Sequence, residues 1–334
     1  MRVLVTGGTG FIGRHLVRRL LATHTPDSIV CLVAPSVTAR EAIAQQELRE
    51  AGVRLVEGDL NLPTVSRERL PQVDLVFHLA AKSDTDAPEE DLRLNDLGCT
   101  HLLQWLGEAA RGARLMYTSS IAVQDRNHPA DGPITELSPC VPRTAYGITK
   151  LRGEQIIRDS ASGVGYTFTI CRLATVYGPG AKPGGLFDRL FTLTRAHQLL
   201  GRLNWPGRTS IMNVDDVTGV LVGLANRSEA AGETYCVANP EAPTVGSIAQ
   251  QINRLAPQPA PTITLPNWFW RVGRSIAWSR ACQSVLSAVA STTLWRLTLI
   301  LDDGFWFDTT KLQGVWNQAP KDLVEGLLEM LKYL

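Results

Sequence analysis

Through the first half of the chain, short apolar runs alternate with longer stretches in which apolar residues recur every three to four positions. The runs at 3–6, 29–33, 53–56, 75–79, 115–118 and 166–171 are rich in Val, Leu and Ile and lack in–out alternation. They predict strands buried on both faces, as a parallel sheet requires. The stretches 11–22, 40–51 and 95–110 are long enough to be the crossover helices between them. The order predicts an α/β fold with a doubly wound parallel sheet. After about residue 175 the texture changes, with Gly and Pro concentrated between Tyr177 and Gly185 and aromatic residues denser downstream. The expected organisation is a first domain over 1–175. A smaller C-terminal substrate-binding lobe over 176–334 follows, some of its segments returning to the sheet.

The 33 basic and 32 acidic residues nearly cancel, so no global field draws nucleic acid. Six cysteines at 31, 99, 140, 171, 236 and 282 show no paired spacing, which favours reduced thiols in a cytoplasmic protein over disulfides. The histidines are equally dispersed, and no metal site is expected. The first strand leaves no room for a signal peptide before it, and no window reaches about 18 uninterrupted apolar residues.

The segment Gly7-Gly8-Thr9-Gly10-Phe11-Ile12-Gly13 follows the first predicted strand and opens the first helix. Gly7, Gly10 and Gly13 are what a dinucleotide site needs at a tight turn, a close pyrophosphate approach and a helix–strand contact. The helix N-terminus, at Phe11 and Ile12, offers backbone N–H groups to the phosphates. Further along, Tyr146 and Lys150 stand four residues apart and share a helix face, with Ser120 upstream. An ammonium beside a phenol lowers its pKa, and a serine hydroxyl can hold a reacting oxygen, so the three form an acid/base device for a carbon–oxygen bond. Ser119 reads as a backbone-turn residue.

Other segments match in the same order. They are Gly58-Asp59-Leu60, His78-Leu79-Ala80-Ala81, Asn95 in Asn95-Asp96-Leu97-Gly98, Arg172-Leu173-Ala174-Thr175-Val176-Tyr177-Gly178-Pro179, and Asn213-Val214-Asp215-Asp216-Val217. With the glycine turn and Tyr146-x-x-x-Lys150, the set resembles the extended short-chain dehydrogenase/reductase family, also called the NAD-dependent epimerase/dehydratase family. The resemblance implies a Rossmann-type fold and an NAD or NADP cofactor. It implies a cofactor site formed by Gly7, Gly10, Phe11, Ile12, Gly13, Asp59, Leu60, Leu79, Ala80, Ala81, Asn95, Tyr146, Lys150, Leu173 and Thr175. In it Asp59 meets the adenine amine, and Asn95 takes the place of a structural asparagine. Tyr146 becomes the general acid/base, Lys150 its electrostatic partner and ribose ligand, and Ser120 the anchor of the substrate oxygen. A homodimer paired through the Tyr146 helix is a further implication.

Two questions stay open at this level. The position that carries a ribose-binding acid in NAD enzymes reads Val33-Ala34-Pro35-Ser36, and the next acid is Glu41; Arg14 and Arg40 could receive a 2′-phosphate or be solvated helix charges. The substrate is a nucleotide sugar or a hydrophobic ring or lipid. Arg208, in Pro206-Gly207-Arg208, resembles a diphosphate-binding arginine displaced by one residue, and otherwise reads as a loop arginine in water. The stretch Ile121-Ala122-Val123-Gln124 looks more like the hydroxysteroid and dihydroflavonol reductase branches. Between Glu241 and Asp302 there is no acid, while Arg254, Arg271, Arg274, Arg280 and Arg296 fall there. A helix in that span places Phe269, Val272 and Ile276 on one face and Arg271, Arg274 and Trp278 on the other. Such a segment, within 267–296, can rest on an anionic membrane surface or close over a substrate with its apolar face packed inward. A non-catalytic dinucleotide sensor or assembly factor is the alternative of another class, disfavoured by the intact Ser120, Tyr146 and Lys150.

Overall fold

A computed structural model describes the chain apart from residues 36–37, 85–86, 126–131, 197, 278, 280–281, 283–299, 302–304 and 334. The calls made above on Ser36, Trp278, Arg280 and Arg296 lie outside the described residues. The chain forms two compact units, one of Met1–Asp125, Pro142–Leu173 and Asp215–Tyr235, the other of Arg126–Val141, Ala174–Val214 and Cys236–Leu334.

In the first unit the elements run β1 (Val3–Thr6), α1 (Phe11–Leu21), β2 (Ile29–Val33), α2 (Ala39–Glu50), β3 (Arg54–Glu57), β4 (Leu75–His78), α3 (Leu97–Leu106), β5 (Arg114–Ser120), α4 (Ala145–Val164) and β6 (Thr167–Leu173). The sheet order is β3-β2-β1-β4-β5-β6, with a later strand at Thr234–Val237 on the far edge. Every register among the first six strands is parallel, for example Val3↔Ile29, Val3↔Leu75, Leu75↔Arg114 and Ser120↔Leu173. The order reverses between β1 and β4, and in such sheets ligands bind beyond the strand ends at that switch point. The apolar runs lack alternation because both faces are covered: β1, β2 and β4 are buried at every position. One face packs Leu4, Val30, Val76, Leu115 and Ile170 against Leu102, Leu106 and Ile157 of α3 and α4.

Boundaries at β5, β6 and α3 differ from the sequence reading by two or more residues. β5 continues to Ser120 because its last residues pair with β6 through Leu173. The helix expected over 95–110 is shorter. Asp96 caps α3 by accepting the Leu97 N–H at 2.7 Å, and Gly107, at φ +45°, ends it between flanking 3-10 turns.

In the second unit β7 (Thr175–Tyr177) pairs in parallel with β8 (Ile211–Asn213). Around them lie α5 (Leu186–Arg195), α6 (Leu199–Arg202), α8 (Val245–Arg254), α9 (Asn267–Ala277), α10 (Thr310–Val315) and α11 (Leu323–Leu331), while α7 (Val214–Ala225) belongs almost wholly to the first unit. The core here joins Tyr177, Phe187, Phe191, Ile211, Ile248 and Leu327, with the Tyr177 and Phe187 rings stacked at 4.6 Å. α9 buries Trp270, 5.2 Å from the Trp205 ring, and leaves Trp268, Phe269, Val272 and Ile276 at 65%, 45%, 51% and 61% exposure. The Phe269, Val272 and Ile276 face, left open above between a membrane surface and inward packing over a substrate, is exposed, and the large Trp270 ring occupies the packed side.

Candidate active site

The glycine turn is built by close approach. Gly7 sits at φ +72°, in the left-handed region, where a Cβ would also lie 2.7 Å from the Ala80 nitrogen at the end of β4. A Cβ on Gly13 would lie 2.0 Å from the Gly7 carbonyl oxygen, so only hydrogen lets α1 start against the turn. Gly10 is the N-cap of α1 and donates to the Gly7 carbonyl at 3.0 Å, and no side chain caps the Phe11 and Ile12 end of the helix. The result is a bare backbone cradle with free N–H groups at a helix N-terminus, which fits a pyrophosphate.

Around that cradle the other cofactor candidates fall at strand ends. The Leu79 N–H donates to the Thr6 carbonyl and the Ala80 N–H to the Thr6 hydroxyl, at 3.2 and 3.1 Å. That hydroxyl also bonds the buried His78 ring at 2.7 Å, and burial pushes His78 down to about 3, keeping it neutral. Ala81 continues this rim, partly exposed. Asp59 lines an open pocket with Pro35, Gly58 and Leu62, and its carboxylate is steadied by the Asn61 backbone and side-chain nitrogens, each at 2.8 Å. Leu60 points into the core and offers only backbone, its carbonyl already accepting from His101 at 2.8 Å.

Asn95 is buried, and its amide is spent on protein. It accepts the Lys82 N–H at 2.8 Å and donates to the Lys82 carbonyl and the Thr149 hydroxyl at 3.0 and 3.2 Å, tying the loop after β4 to α4. Near the 2′-position, Arg14 pairs with Glu47 at 2.8 Å and Glu41 closes a capping box with Thr38. Both groups are thereby engaged on the α1 and α2 surface.

Ser120 ends β5, Tyr146 and Lys150 lie in the first two turns of α4, and the structure brings Ser120 and Tyr146 together. The Ser120 hydroxyl accepts the Ala122 N–H at 3.2 Å, leaving its proton to donate to the Tyr146 phenol. Burial raises the Tyr146 pKa, and the Ser120 hydrogen bond opposes that rise. The ammonium expected to lower the phenol instead sits 4.3 Å from the Tyr117 ring centroid. Burial brings Lys150 down to about 8, against the opposing pull of Cys99 and Glu154. Leu173, at the end of β6, is the register partner of Ser120.

Three features escaped the sequence reading. Ser119, expected as a turn residue, donates to Glu154 at 2.6 Å, because successive strand residues point to opposite faces and Ser120 takes the other one. Arg172 makes a two-pronged pair with the same carboxylate at 2.9 and 2.8 Å, both partners almost fully buried. Glu154 continues the helix face of Tyr146 and Lys150 at four-residue spacing, which was the available signal. Asp125, just past the Ser120 turn, is also buried.

Thr175 and Arg208 belong to the second unit. Thr175 donates its N–H to the Ser210 carbonyl at 3.2 Å. Arg208 is not a loop arginine in water. Its Nε donates to the Ala242 carbonyl at 3.1 Å, and its guanidinium lies 4.1 Å from the Trp306 ring centroid. Among the described residues, no cluster of side chains suits a metal ion and no helix is long and apolar enough to cross a membrane.

Residues 3–238 match the family described as NAD dependent epimerase/dehydratase. A dTDP-glucose 4,6-dehydratase of Mycobacterium tuberculosis is 33% identical over 187 residues, 54% of this chain and 54% of the relative. A sterol demethylase protein B of Methylococcus capsulatus is 31% identical over 272 residues, 80% and 78% of the two chains. The match spans only about half the length of the first such curated relatives. The solved UDP-glucuronic acid 4-epimerase of Bacillus cereus, in complex with NAD, superposes over 100% of this chain and 98% of that one. Its TM-score is 0.75 and its identity 20%.

Proposed function

The chain belongs to the NAD dependent epimerase/dehydratase family, and on that footing we propose that it is an NAD(P)-dependent oxidoreductase or epimerase acting at a secondary alcohol or ketone carbon. The observation that carries this reading is the partly buried Tyr146 phenol, hydrogen-bonded by Ser120 and one turn from the buried Lys150. When bound, the nicotinamide supplies the acceptor or donor of the hydride. Tyr146 exchanges the proton at the substrate oxygen, Ser120 holds that oxygen, and Lys150 binds the ribose. The intact set of three disfavours a non-catalytic sensor. The Gly7–Gly13 cradle and Asp59 hold the dinucleotide. NAD is the cofactor favoured, since Arg14 is engaged by Glu47.

The substrate we propose is a nucleotide sugar, with Arg208 on its diphosphate, in keeping with the dTDP-glucose 4,6-dehydratase similarity. A second reading, a hydrophobic ring or lipid substrate, is favoured by the sterol demethylase protein B similarity over most of both chains. It is favoured too by the exposed apolar face of α9, which Arg271 borders. That face suits peripheral contact with an anionic lipid surface. Salt-sensitive co-sedimentation with anionic vesicles is expected, and complete absence from the pellet at low salt would remove the idea. The location proposed is cytoplasmic and the assembly a homodimer through α4, which light scattering measures as twice the chain mass.

Mass spectrometry of the gently purified protein separates the substrates. A bound nucleoside diphosphate supports the sugar reading and a bound sterol or lipid the other. Failure to bind either dinucleotide would overturn the proposal as a whole. Titration with NAD and NADP by thermal shift, at equal concentration, reports the tighter cofactor.

A further inference from the structure

Ser120 and Tyr146 come from segments 26 positions apart, and their hydrogen bond depends on how the 3-10 turn Ile121–Gln124 meets the start of α4. Two contacts join those segments. The first is a backbone approach: a Cβ on Gly147 would lie 2.3 Å from the Ala122 carbonyl oxygen. The second is Asp125, the residue that ends the turn. Its Oδ2 accepts the Arg143 N–H at 2.8 Å, and its carboxylate also takes the Thr144 N–H. Thr144 in turn is the N-cap of α4, accepting the Gly147 N–H at 3.1 Å. Asp125 is 3% exposed, and among the described residues the hydrogen bonds of its carboxylate go to this junction.

We propose that Asp125 is a positioning residue that clamps the turn carrying Ser120 to the entry of the helix carrying Tyr146, and so sets the hydrogen bond between the two hydroxyls. A carboxylate buried for packing alone would be costly. Burial does push Asp125 up to about 7, against the pull of the Arg143 and Thr144 N–H groups and the Arg143 charge. What the clamp needs is an oxygen acceptor with the reach of Asp, not a charge. Asn can therefore replace it, whereas Ala cannot.

This inference rests on Tyr146 as the proton-exchanging group, so its test reads the phenol itself instead of turnover. Alkaline titration of phenolate absorbance, taken as the difference between each full-length protein and its Tyr146→Phe counterpart, isolates Tyr146. Losing the Ser120 donor removes the influence that lowers the phenol. Asp125→Ala should therefore titrate at least roughly half a unit above the native protein, and Asp125→Asn within about 0.2 unit of it. NAD should stabilise all three proteins alike, showing the glycine cradle intact. If Asp125→Ala does not fold, Asp125→Ser, too short to bridge both N–H groups, provides the shifted arm. An alanine or serine form that titrates as native overturns the clamp, and an asparagine form shifted as far as alanine overturns the acceptor role. Were Tyr146→Phe to keep full turnover, the catalytic reading would fall while the titration result stood.

Discussion

Replacing Glu154 by Gln removes one charge from a buried pair and little else, since the side chains are nearly isosteric. Arg172 is 4% exposed and loses the carboxylate that receives both of its 2.9 and 2.8 Å bonds. Breaking a buried pair by neutralising one partner costs ~3–5 kcal/mol, because the remaining charge is left in a poorly solvated place. Unfolding entropy scales with length, giving roughly 0.7 kcal/mol per kelvin for a chain of this size. The expected fall in Tm is then about 4–7 °C. Near-UV circular dichroism melts at neutral pH measure it directly. A double change, Glu154→Leu with Arg172→Met, removes both charges and should recover most of the loss, as apolar replacements of buried pairs commonly do. The Gln form should also lower Lys150 further, because Glu154 is one of the charges that hold it up. A Gln protein melting within about 1 °C of the native one, or a double variant no better than the single, would refute this account of the pair.

Lys150→Met should separate stability from function. Burial lowers Lys150 from 10.5 to about 8, so the fold bears the cost of its charge at any pH below about 8 and sheds it as pH rises towards 10.5. At pH 7 the Met protein should be as stable as the native one or more so, by up to about 3 kcal/mol, with the gap closing by about pH 10. Dinucleotide affinity should fall, and melts with and without NAD at the two pH values check both halves. Gly13→Ala places a methyl 2.0 Å from the Gly7 carbonyl oxygen. An overpacking cost of ~1–3 kcal/mol at the cradle corresponds to NAD binding weakened roughly 5- to 150-fold, readable by titration calorimetry.

What was legible in the sequence was mostly local. The glycine turn could be read because the strand before it, the turn and the helix after it are neighbours in the chain, and each leaves its own signature. Tyr146 and Lys150 were visible for the same reason, as an i, i+4 pair on one helix. The Ser119–Glu154–Arg172 group was not, since its members come from three elements and meet only once β5 and β6 pair in register. Periodicity showed that α9 has two faces but could not say which packs inward; that was decided by Trp270 meeting Trp205. Asp125 carries no local signal, because its burial arises only where the turn meets the start of α4.

Tyr146→Phe tests the central proposal most directly. The change removes one hydroxyl and leaves the ring packing in place. NAD titration should therefore match the native protein, while turnover of the substrate recovered by mass spectrometry, followed by nicotinamide absorbance, should fall by at least roughly two orders of magnitude. Turnover close to native, with NAD bound as before, would contradict the assignment of Tyr146 as the proton-exchanging group.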